Sequence, residues 1–237
     1  MFDAQGYIAN RPIRPDQWKA VIPDMPAGLI VTSNSVPPGF FIAQHFLAPE
    51  ICNSIVQECE AKQGKDQTVS TGSPSSDPMQ LHHSTADYFD TRNLSFNVTD
   101  LFKHICRNVV APQFGTQIDS FELPEVLRYG AGAEFQPHSD ADRWSAEEQT
   151  WKRTLDRDLT ILVYLNEGYE GGEIDFPNFA LKIPPQRGML IAFPSDGRYL
   201  NAVRPVTSGV RYELACWATV KGQPRVNTSP RENAIQL

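Results

Sequence analysis

The chain has 237 residues, 41% of them hydrophobic, and a formal net charge of −7 at pH 7. This length suits one globular domain with an appended segment, and the composition is ordinary for a folded protein. The acidic balance argues against a nucleic-acid surface, which needs a clustered basic face, but it does not exclude an anionic substrate in a locally positive pocket.

The first 18 residues, MFDAQGYIANRPIRPDQW, lack the basic and apolar regions of a signal peptide. No apolar stretch approaches the roughly 20 residues of a membrane span. We therefore expect a cytoplasmic protein that binds neither nucleic acid nor membrane and keeps its cysteines reduced. The oligomeric state stays open. The four cysteines are Cys52, Cys59, Cys106 and Cys216.

The first half of the chain predicts helices that follow an irregular N-terminal arm. Residues 1–37 form the arm, with one short strand around GLIVTS at 28–33. The stretch APEICNSIVQECEAKQG at 48–64 has the apolar stripe of an amphipathic helix. A second helix is expected from Thr99, as its N-cap, through Val109, and Pro112 should stop it. The stretch VSTGSPSSDPMQ between the two helices is typical of a loop.

After residue 120, short β-rich runs alternate with glycine and proline, which is typical of an antiparallel sandwich or barrel. A charged segment at 141–158 with two tryptophans interrupts this rhythm. We interpret it as a lid or substrate-binding loop, with a solvated helical excursion as the alternative. The tail at 221–237 is expected to be poorly ordered.

Two short patterns in the β-rich half carry chemistry. His138 and Asp140 form an HxD pair, and in a strand such residues point to the same face and can bind one metal ion. This pattern is weak evidence alone. Arg211 follows a Pro- and Gly-containing turn, and a guanidinium binds a carboxylate with two hydrogen bonds. A metal beside a buried arginine fits a dicarboxylate such as 2-oxoglutarate; an arginine on an edge strand is the alternative.

Four longer stretches are specific in combination: RYGAGAEFQPHSDAD, LTILVYLNEGYEGGEIDFP, GMLIAFPS and NAVRPVTSGVRYELACW. With them, residues 38–220 resemble the Fe(II)/2-oxoglutarate-dependent dioxygenases of the prolyl 4-hydroxylase type. The resemblance implies a mainly β fold with supporting helices, a double-stranded β-helix or jelly roll, with helical support at 38–119 and the core at 120–220. It also implies Fe(II), with 2-oxoglutarate and O2 as cosubstrates, and leaves ascorbate open as a further cofactor.

The same resemblance implies roles for individual residues. His138 and Asp140 match metal ligands, and Arg211 matches the partner of the distal 2-oxoglutarate carboxylate. Tyr129 matches a tyrosine that hydrogen-bonds the cosubstrate, and Trp217 matches an aromatic wall of that pocket, with core packing as the alternative for both. The implied reaction couples decarboxylation of 2-oxoglutarate to hydroxylation of an unactivated C–H bond in an amino acid, a peptide or a related small molecule. The candidates to touch this substrate, all within 141–158, are Trp144, Trp151, Lys152 and Arg153.

Asn201 is where the sequence departs from the pattern, because family members carry a histidine metal ligand at this position. Three interpretations stay open. In the first, Asn201 is an engineered or accidental change in an active enzyme. In the second, the natural protein either uses the Asn201 amide oxygen as a weak ligand or leaves this coordination position to water. Otherwise the protein is a jelly-roll relative that has lost iron chemistry and binds a small acid or a partner protein. An outcome other than hydroxylation also stays open. The remaining histidines, His45, His82, His83 and His104, are not expected on the right strand.

Overall fold

A computed structural model of the chain describes residues 17–23, 36–62, 70–71 and 85–237. The strand predicted at 28–33, most of the loop predicted at 69–80, and His82 and His83 lie outside the described residues. The helices are α1 (Trp18–Val21), α2 (Pro49–Lys62), α3 (Val98–His104) and α4 (Ala111–Gln113), with a π-helical segment Ile105–Val110 between α3 and α4 and 3-10 turns at Thr91–Asn93, Pro177–Phe179 and Gly197–Tyr199.

The strands of the described residues follow in chain order. They are β1 (Phe41–Ala43), β2 (Ser70–Thr71), β3 (Asp87–Asp90), β4 (Ile118–Glu122), β5 (Glu125–Tyr129), β6 (Phe135–His138), β7 (Asp142–Ser145), β8 (Thr150–Arg153), β9 (Leu159–Tyr164), β10 (Glu170–Gly171), β11 (Ile174–Phe176), β12 (Leu181–Ile183), β13 (Leu190–Pro194), β14 (Asn201–Val203), β15 (Val206–Ser208), β16 (Arg211–Val220) and β17 (Ala234–Gln236).

The helices confirm the predicted apolar stripe and correct two boundaries. Helix α2 buries Cys52, Ile55 and Cys59, as its pattern predicts. The N-cap of α3 is Asn97 instead of the predicted Thr99, because its side chain accepts a hydrogen bond from the backbone N–H of Asp100. Pro112 does not stop the helix at once. It lies in the first turn of α4, where its missing N–H is tolerated, after the wider π turns.

The strands form a mainly antiparallel jelly roll, as predicted. The larger sheet has the order β1-β13-β9-β16-β5-β3-β2, with β4 pairing both β16 and β17, and the smaller sheet has the order β12-β11-β14-β6. Among the described helices, none combines the length and the apolar character that crossing a membrane requires.

Strand β16 shows how one sequence serves both faces of the larger sheet. Its alternate residues Tyr212, Leu214 and Cys216 belong to the apolar cluster that includes the buried side chains of α2 and α3. The other alternate residues, such as Ala215 and Trp217, belong to the cluster between the two sheets. Because the side-chain period of a strand is two, the run RYELACW has an apolar helix-facing side and an interior side that carries charges.

Two surface segments differ from expectation. The segment at 141–158 contains the hairpin β7–β8, so the helical alternative for it is wrong. The tail is not poorly ordered throughout: β17 pairs antiparallel with β4, and Arg231 donates a hydrogen bond to Glu122. The edge of β4 that does not pair with β16 has free backbone N–H and C=O groups, and the tail sequence NAIQL supplies a short strand that hydrogen-bonds to them.

Candidate functional site

The HxD pair and Asn201 meet where the smaller sheet faces the barrel interior. Strands β14 and β6 pair antiparallel, and Asn201 lies directly opposite His138 in the register. Strand β6 ends at His138, so Asp140 lies in the following turn and not in the strand, as the i, i+2 expectation had assumed. The turn still brings the Asp140 carboxylate back to His138. We call these three residues the histidine cluster.

The imidazole of His138 is held in one orientation. Its Nδ1 lies 2.9 Å from the carbonyl oxygen of Gln136, and its ring stacks on Phe135 at 3.7 Å between centroids. When Nδ1 donates to that carbonyl, Nε2 carries the lone pair. Nε2 lies 3.5 Å from Asp140 Oδ1. One first-row ion at about 2.1 Å from each donor atom can bridge such a separation.

The other oxygen of Asp140 is held by neutral donors. Oδ2 accepts hydrogen bonds from the Thr160 hydroxyl at 2.9 Å and from the Asn201 amide at 3.0 Å. Burial alone would raise the pKa of the Asp140 carboxyl, but His138, Arg157 and Thr160 outweigh it and lower the pKa below its usual value. The carboxylate is therefore ionised at neutral pH, and the Asn201 side chain is engaged with it.

A buried ion pair lies behind the histidine cluster. The Arg157 side chain, 1% exposed, pairs with Glu122 through Nε–Oε1 at 2.6 Å and Nη2–Oε2 at 2.8 Å. Its Nη1 also donates to the backbone carbonyl of Asp140 at 3.4 Å, and its Cζ lies 3.8 Å above the Trp217 ring. Arg157 therefore positions the turn that carries Asp140, and its carboxylate partner Glu122 also accepts hydrogen bonds from Arg231.

Arg211 lies in a second cluster on the interior face of β16. The strand lies between β9 and β5, and Arg211 is fully buried, so the edge-strand alternative is wrong. Its Cζ lies 4.7 Å from the Tyr129 ring centroid and 5.1 Å from that of Tyr164. A Cβ at Gly172 would lie 3.0 Å from its Cδ, so the arginine stem packs on bare backbone. Glu213 and Tyr169 complete what we call the arginine cluster.

The guanidinium of Arg211 has a partner within the chain. Its Nη2 donates to Glu213 Oε2 at 2.8 Å and its Nη1 to Oε1 at 3.4 Å. Burial raises the pKa of the Glu213 carboxyl, and Arg211 and Tyr129 offset this only in part. Burial also raises the pKa of Tyr169 to about 12. Arg211 Nε and the hydroxyls of Tyr164 and Tyr169 are buried polar atoms without a hydrogen bond.

Comparisons with known proteins point to one family. Residues 124–219, which include β6, β14 and β16 and therefore both clusters, match the model of the 2OG-Fe(II) oxygenase superfamily. Residues 124–219 are therefore similar to 2OG-Fe(II) oxygenases, and the relatives support a likeness to the prolyl 4-hydroxylases. The chain is 27% identical over 187 residues to a putative prolyl 4-hydroxylase from Acanthamoeba polyphaga mimivirus, covering 75% of this chain and 72% of that protein.

Two solved structures share the fold of most of this chain. The viral collagen prolyl hydroxylase of Paramecium Bursaria Chlorella virus-1, in its 2OG complex, superposes with a TM-score of 0.57 at 22% identity, over 77% of this chain and 96% of that one. A prolyl hydroxylase in complex with a hypoxia inducible factor peptide fragment, from Trichoplax adhaerens, gives a TM-score of 0.57 at 21% identity, over 76% and 83%. At 21–22% identity this similarity shows the fold alone.

The oxygenase family implies Fe(II), 2-oxoglutarate and O2, and the two clusters fit these groups unequally. The histidine cluster offers an imidazole nitrogen and a carboxylate oxygen 3.5 Å apart, which fits a metal ion, with an amide beside them. Within the described residues no group of three His, Cys, Asp or Glu side chains converges. In the arginine cluster both terminal nitrogens of Arg211 donate to Glu213, so the positive charge that the far carboxylate of 2-oxoglutarate would use is already paired within the chain.

The predicted substrate residues lie on the hairpin that follows the histidine cluster. The rings of Trp144 and Trp151 meet edge to face, 5.6 Å apart, and both are exposed. The hairpin is anchored near β14, because Asp142 accepts a hydrogen bond from Gly197 N at 2.7 Å. Arg153 instead pairs with Asp158 at 2.8 Å, and Lys152 pairs with Glu148, so these two cations are already engaged.

The other residues named from the sequence do not join the histidine cluster. Tyr129 lies across from Arg211 in the register and belongs to the arginine cluster. Trp217 lies under Arg157 and opposite Thr160, with its Nε1 unbonded. His104 stacks on Trp18, and the exposed His45 lies in the turn after β1.

Sequence reasoning missed the residues that support the two clusters. Glu213 had a detectable signal, because it stands two residues after Arg211 in a strand and therefore shares its face. Thr160 and Arg157 had none, since only the pairing of distant strands brings them to Asp140.

Proposed function

We propose that this protein is an Fe(II) oxygenase that hydroxylates a C–H bond of an amino acid or a peptide. His138 and Asp140 hold the metal, and Asn201 stands at the third ligand position. One observation carries the proposal: Asn201 lies opposite His138 in the register and hydrogen-bonds Asp140, so all three side chains meet in the barrel interior. Fe(II), when bound there, supplies the oxidising chemistry of the superfamily.

The chain's own contribution is to hold two donors in place and to keep water out. The Gln136 carbonyl fixes the His138 tautomer, and Thr160 fixes the rotamer of Asp140. Asp140 and Asn201 are nearly inaccessible residues, at 3% and 6% exposure. Such outer contacts typically change metal affinity about 10–100-fold when they are removed.

A peptide is the substrate class that we favour. The exposed Trp144 and Trp151 on the adjoining hairpin offer aromatic surface of the kind that packs on proline and other apolar side chains. The structural relative from Trichoplax adhaerens was solved with a peptide bound, which supports this choice by analogy. We further propose a cytoplasmic location, in keeping with four free cysteines.

The second candidate is a jelly-roll relative that binds a small acid or a partner without turnover. It is favoured by the same Asn201 amide, which donates to Asp140 and so engages a carboxylate oxygen that a metal could otherwise use. The two candidate functions predict different effects of Asn201→His on Fe(II) affinity.

The deciding experiment is an anaerobic Fe(II) titration of the unaltered protein, Asn201→His and Asn201→Ala. We expect one site in the unaltered protein that His138→Ala removes. Asn201→His should bind Fe(II) at least about 10–100-fold more tightly, because imidazole nitrogen is a stronger donor than an amide oxygen. Asn201→Ala controls for loss of the Asp140 hydrogen bond. Succinate release with 2-oxoglutarate and a mixture of prolyl peptides then reports turnover.

The outcomes separate the candidates. Metal binding that Asn201→His strengthens supports the oxygenase. An unaltered protein without a metal site, together with no gain in Asn201→His, supports the binding relative and rejects the ligand assignment of this strand.

A further inference from the structure

Arg211 is a cation that the fold itself must neutralise. It is fully buried on the interior face of β16, with two tyrosine rings against its guanidinium and Gly172 against its stem. A charge in such a place needs a counter-charge, because the surrounding side chains cannot replace its hydration. In an oxygenase that uses a dicarboxylate, the ligand supplies that counter-charge.

In this chain Glu213 supplies it. Its carboxylate lies on the same strand face, two residues further along, and accepts hydrogen bonds from both terminal nitrogens of Arg211. Its side chain is 3% exposed, and that of Arg211 is 0% exposed, so the pair is shielded from solvent. The arginine cluster therefore holds one positive and one negative charge before any ligand enters.

We propose that Glu213 determines cosubstrate specificity: it occupies the guanidinium that would bind a second carboxylate, so the site takes a 2-oxo acid whose far end is uncharged. This inference rests on the proposed function. A dicarboxylate would bring its far carboxylate against Glu213 in a buried site, and juxtaposed like charges there disfavour the wrong ligand strongly. A 2-oxo acid with an uncharged far end avoids that repulsion.

The remaining donors fit the same ligand. Arg211 Nε and the hydroxyls of Tyr164 and Tyr169 are buried without hydrogen bonds. A bound water beside the uncharged far end can pair them, because unpaired buried donors are rare in folded proteins unless a ligand or water pairs them. The raised pKa of Tyr169, about 12, keeps its hydroxyl a donor at neutral pH.

The test compares 2-oxoglutarate with 2-oxopentanoate, which has the same carbon chain without the far carboxylate. Binding is measured by calorimetry on the full chain, with and without Mn(II) as a redox-inert metal. We expect the unaltered protein to prefer 2-oxopentanoate by at least tenfold. Glu213→Gln keeps an oxygen for Arg211 and removes the charge, so it should bind 2-oxoglutarate at least tenfold more tightly than the unaltered protein does. Its affinity for 2-oxopentanoate should stay within threefold.

Glu213→Asp is the matched control, because it keeps the negative charge and should keep the preference against 2-oxoglutarate. Preferential binding of 2-oxoglutarate by the unaltered protein overturns the inference, and so does a Glu213→Gln variant without gain. The comparison of the two acids needs no variant, so a misfolded variant does not prevent a decision. Metal binding in the Fe(II) titration reports the proposed function separately, since it requires neither acid.

Discussion

The two clusters of the barrel interior depart from a fully equipped oxygenase in opposite ways. In the histidine cluster Asn201 stands where the family resemblance leads us to expect an imidazole, and the Asp140 carboxylate accepts hydrogen bonds from the neutral side chains of Thr160 and Asn201. In the arginine cluster Arg211 stands at the expected position and forms an ion pair with Glu213 within the chain. One cluster still attracts a cation, while the other no longer requires an anion.

The difference teaches that the charges around a site indicate which ligand it binds better than the presence of a single motif residue does. Arg157 lies near Asp140 and lowers the pKa of its carboxyl, but its two hydrogen bonds to a side-chain carboxylate go to Glu122. Each buried arginine has a carboxylate partner within the chain, and the Asp140 carboxylate has no guanidinium hydrogen-bonded to its oxygens among the described residues. We therefore expect metal affinity to survive where affinity for a dicarboxylate is reduced.

The largest expected effect is on stability and tests whether the arginine cluster is internally balanced. Arg211→Met leaves Glu213 buried without a partner, and breaking a buried pair costs about 3–5 kcal/mol. The double variant Arg211→Met/Glu213→Met should recover most of that loss, since both charges leave together. Urea unfolding at pH 8 measures each variant. If Arg211→Met lowers the free energy of unfolding no more than the double variant does, the two charges are not coupled and Glu213 does not balance Arg211.

A buried glutamate without a matched guanidinium sharpens the contrast. Glu125 lines a cleft of about 850 Å³ beside the tail, and its Oε2 has no hydrogen bond. Burial raises its pKa from 4.5 to about 7. The folded state therefore binds more protons than the unfolded state between these values, and the stability from this group is full below pH 4.5 and is lost as pH rises through 7.

Glu125→Gln should remove that loss. At pH 8 the variant should be more stable by up to about 3 kcal/mol, and near pH 5 the gain should fall below about 1 kcal/mol. Denaturant unfolding at both values measures it. The exposed Glu232→Gln on the same cleft is the control and should change stability little at either pH. An equal gain at both pH values would contradict the assignment.

The smallest effect concerns the hairpin β7–β8, which follows the histidine cluster and docks on the loop before Asn201. We expect a prolyl peptide, added with Mn(II), to slow amide exchange at 141–158 about tenfold, or about 1.4 kcal/mol, because binding orders the exposed tryptophans. Trp144→Ala should weaken this protection and alter global stability by less than about 0.5 kcal/mol.

A matched change at the hairpin anchor controls for docking. A Cβ at Gly197 would lie 2.5 Å from Trp151 Cγ, so Gly197→Ala should displace the hairpin and speed its exchange without peptide. Equal protection of 141–158 with and without peptide, in a protein that binds the peptide, would show that the segment is not a lid.

The sequence by itself determined the class of this protein. The stripe of α2 and the β-rich rhythm after residue 120 predicted helices followed by an antiparallel sandwich or barrel, because period and turn chemistry are local properties. The jelly roll itself was implied by the resemblance of the motifs around His138 and Arg211 to a known family. The same local signals placed the caps and ends of elements less well, as Asn97, Pro112 and the hairpin at 142–153 show. These depend on a few side-chain contacts that compete closely in energy.

Only the tertiary structure decided what each cluster contains. Thr160 and Arg157 reach Asp140 through pairing of strands far apart in sequence, and β17 finds β4 across more than a hundred residues. The two-residue period of a strand could have placed Glu213 on the same face as Arg211. That the two side chains form an ion pair follows only from the full burial of Arg211, because a buried guanidinium needs a counter-charge. Burial and long-range pairing are properties of the whole fold, and no local pattern of residues encodes them.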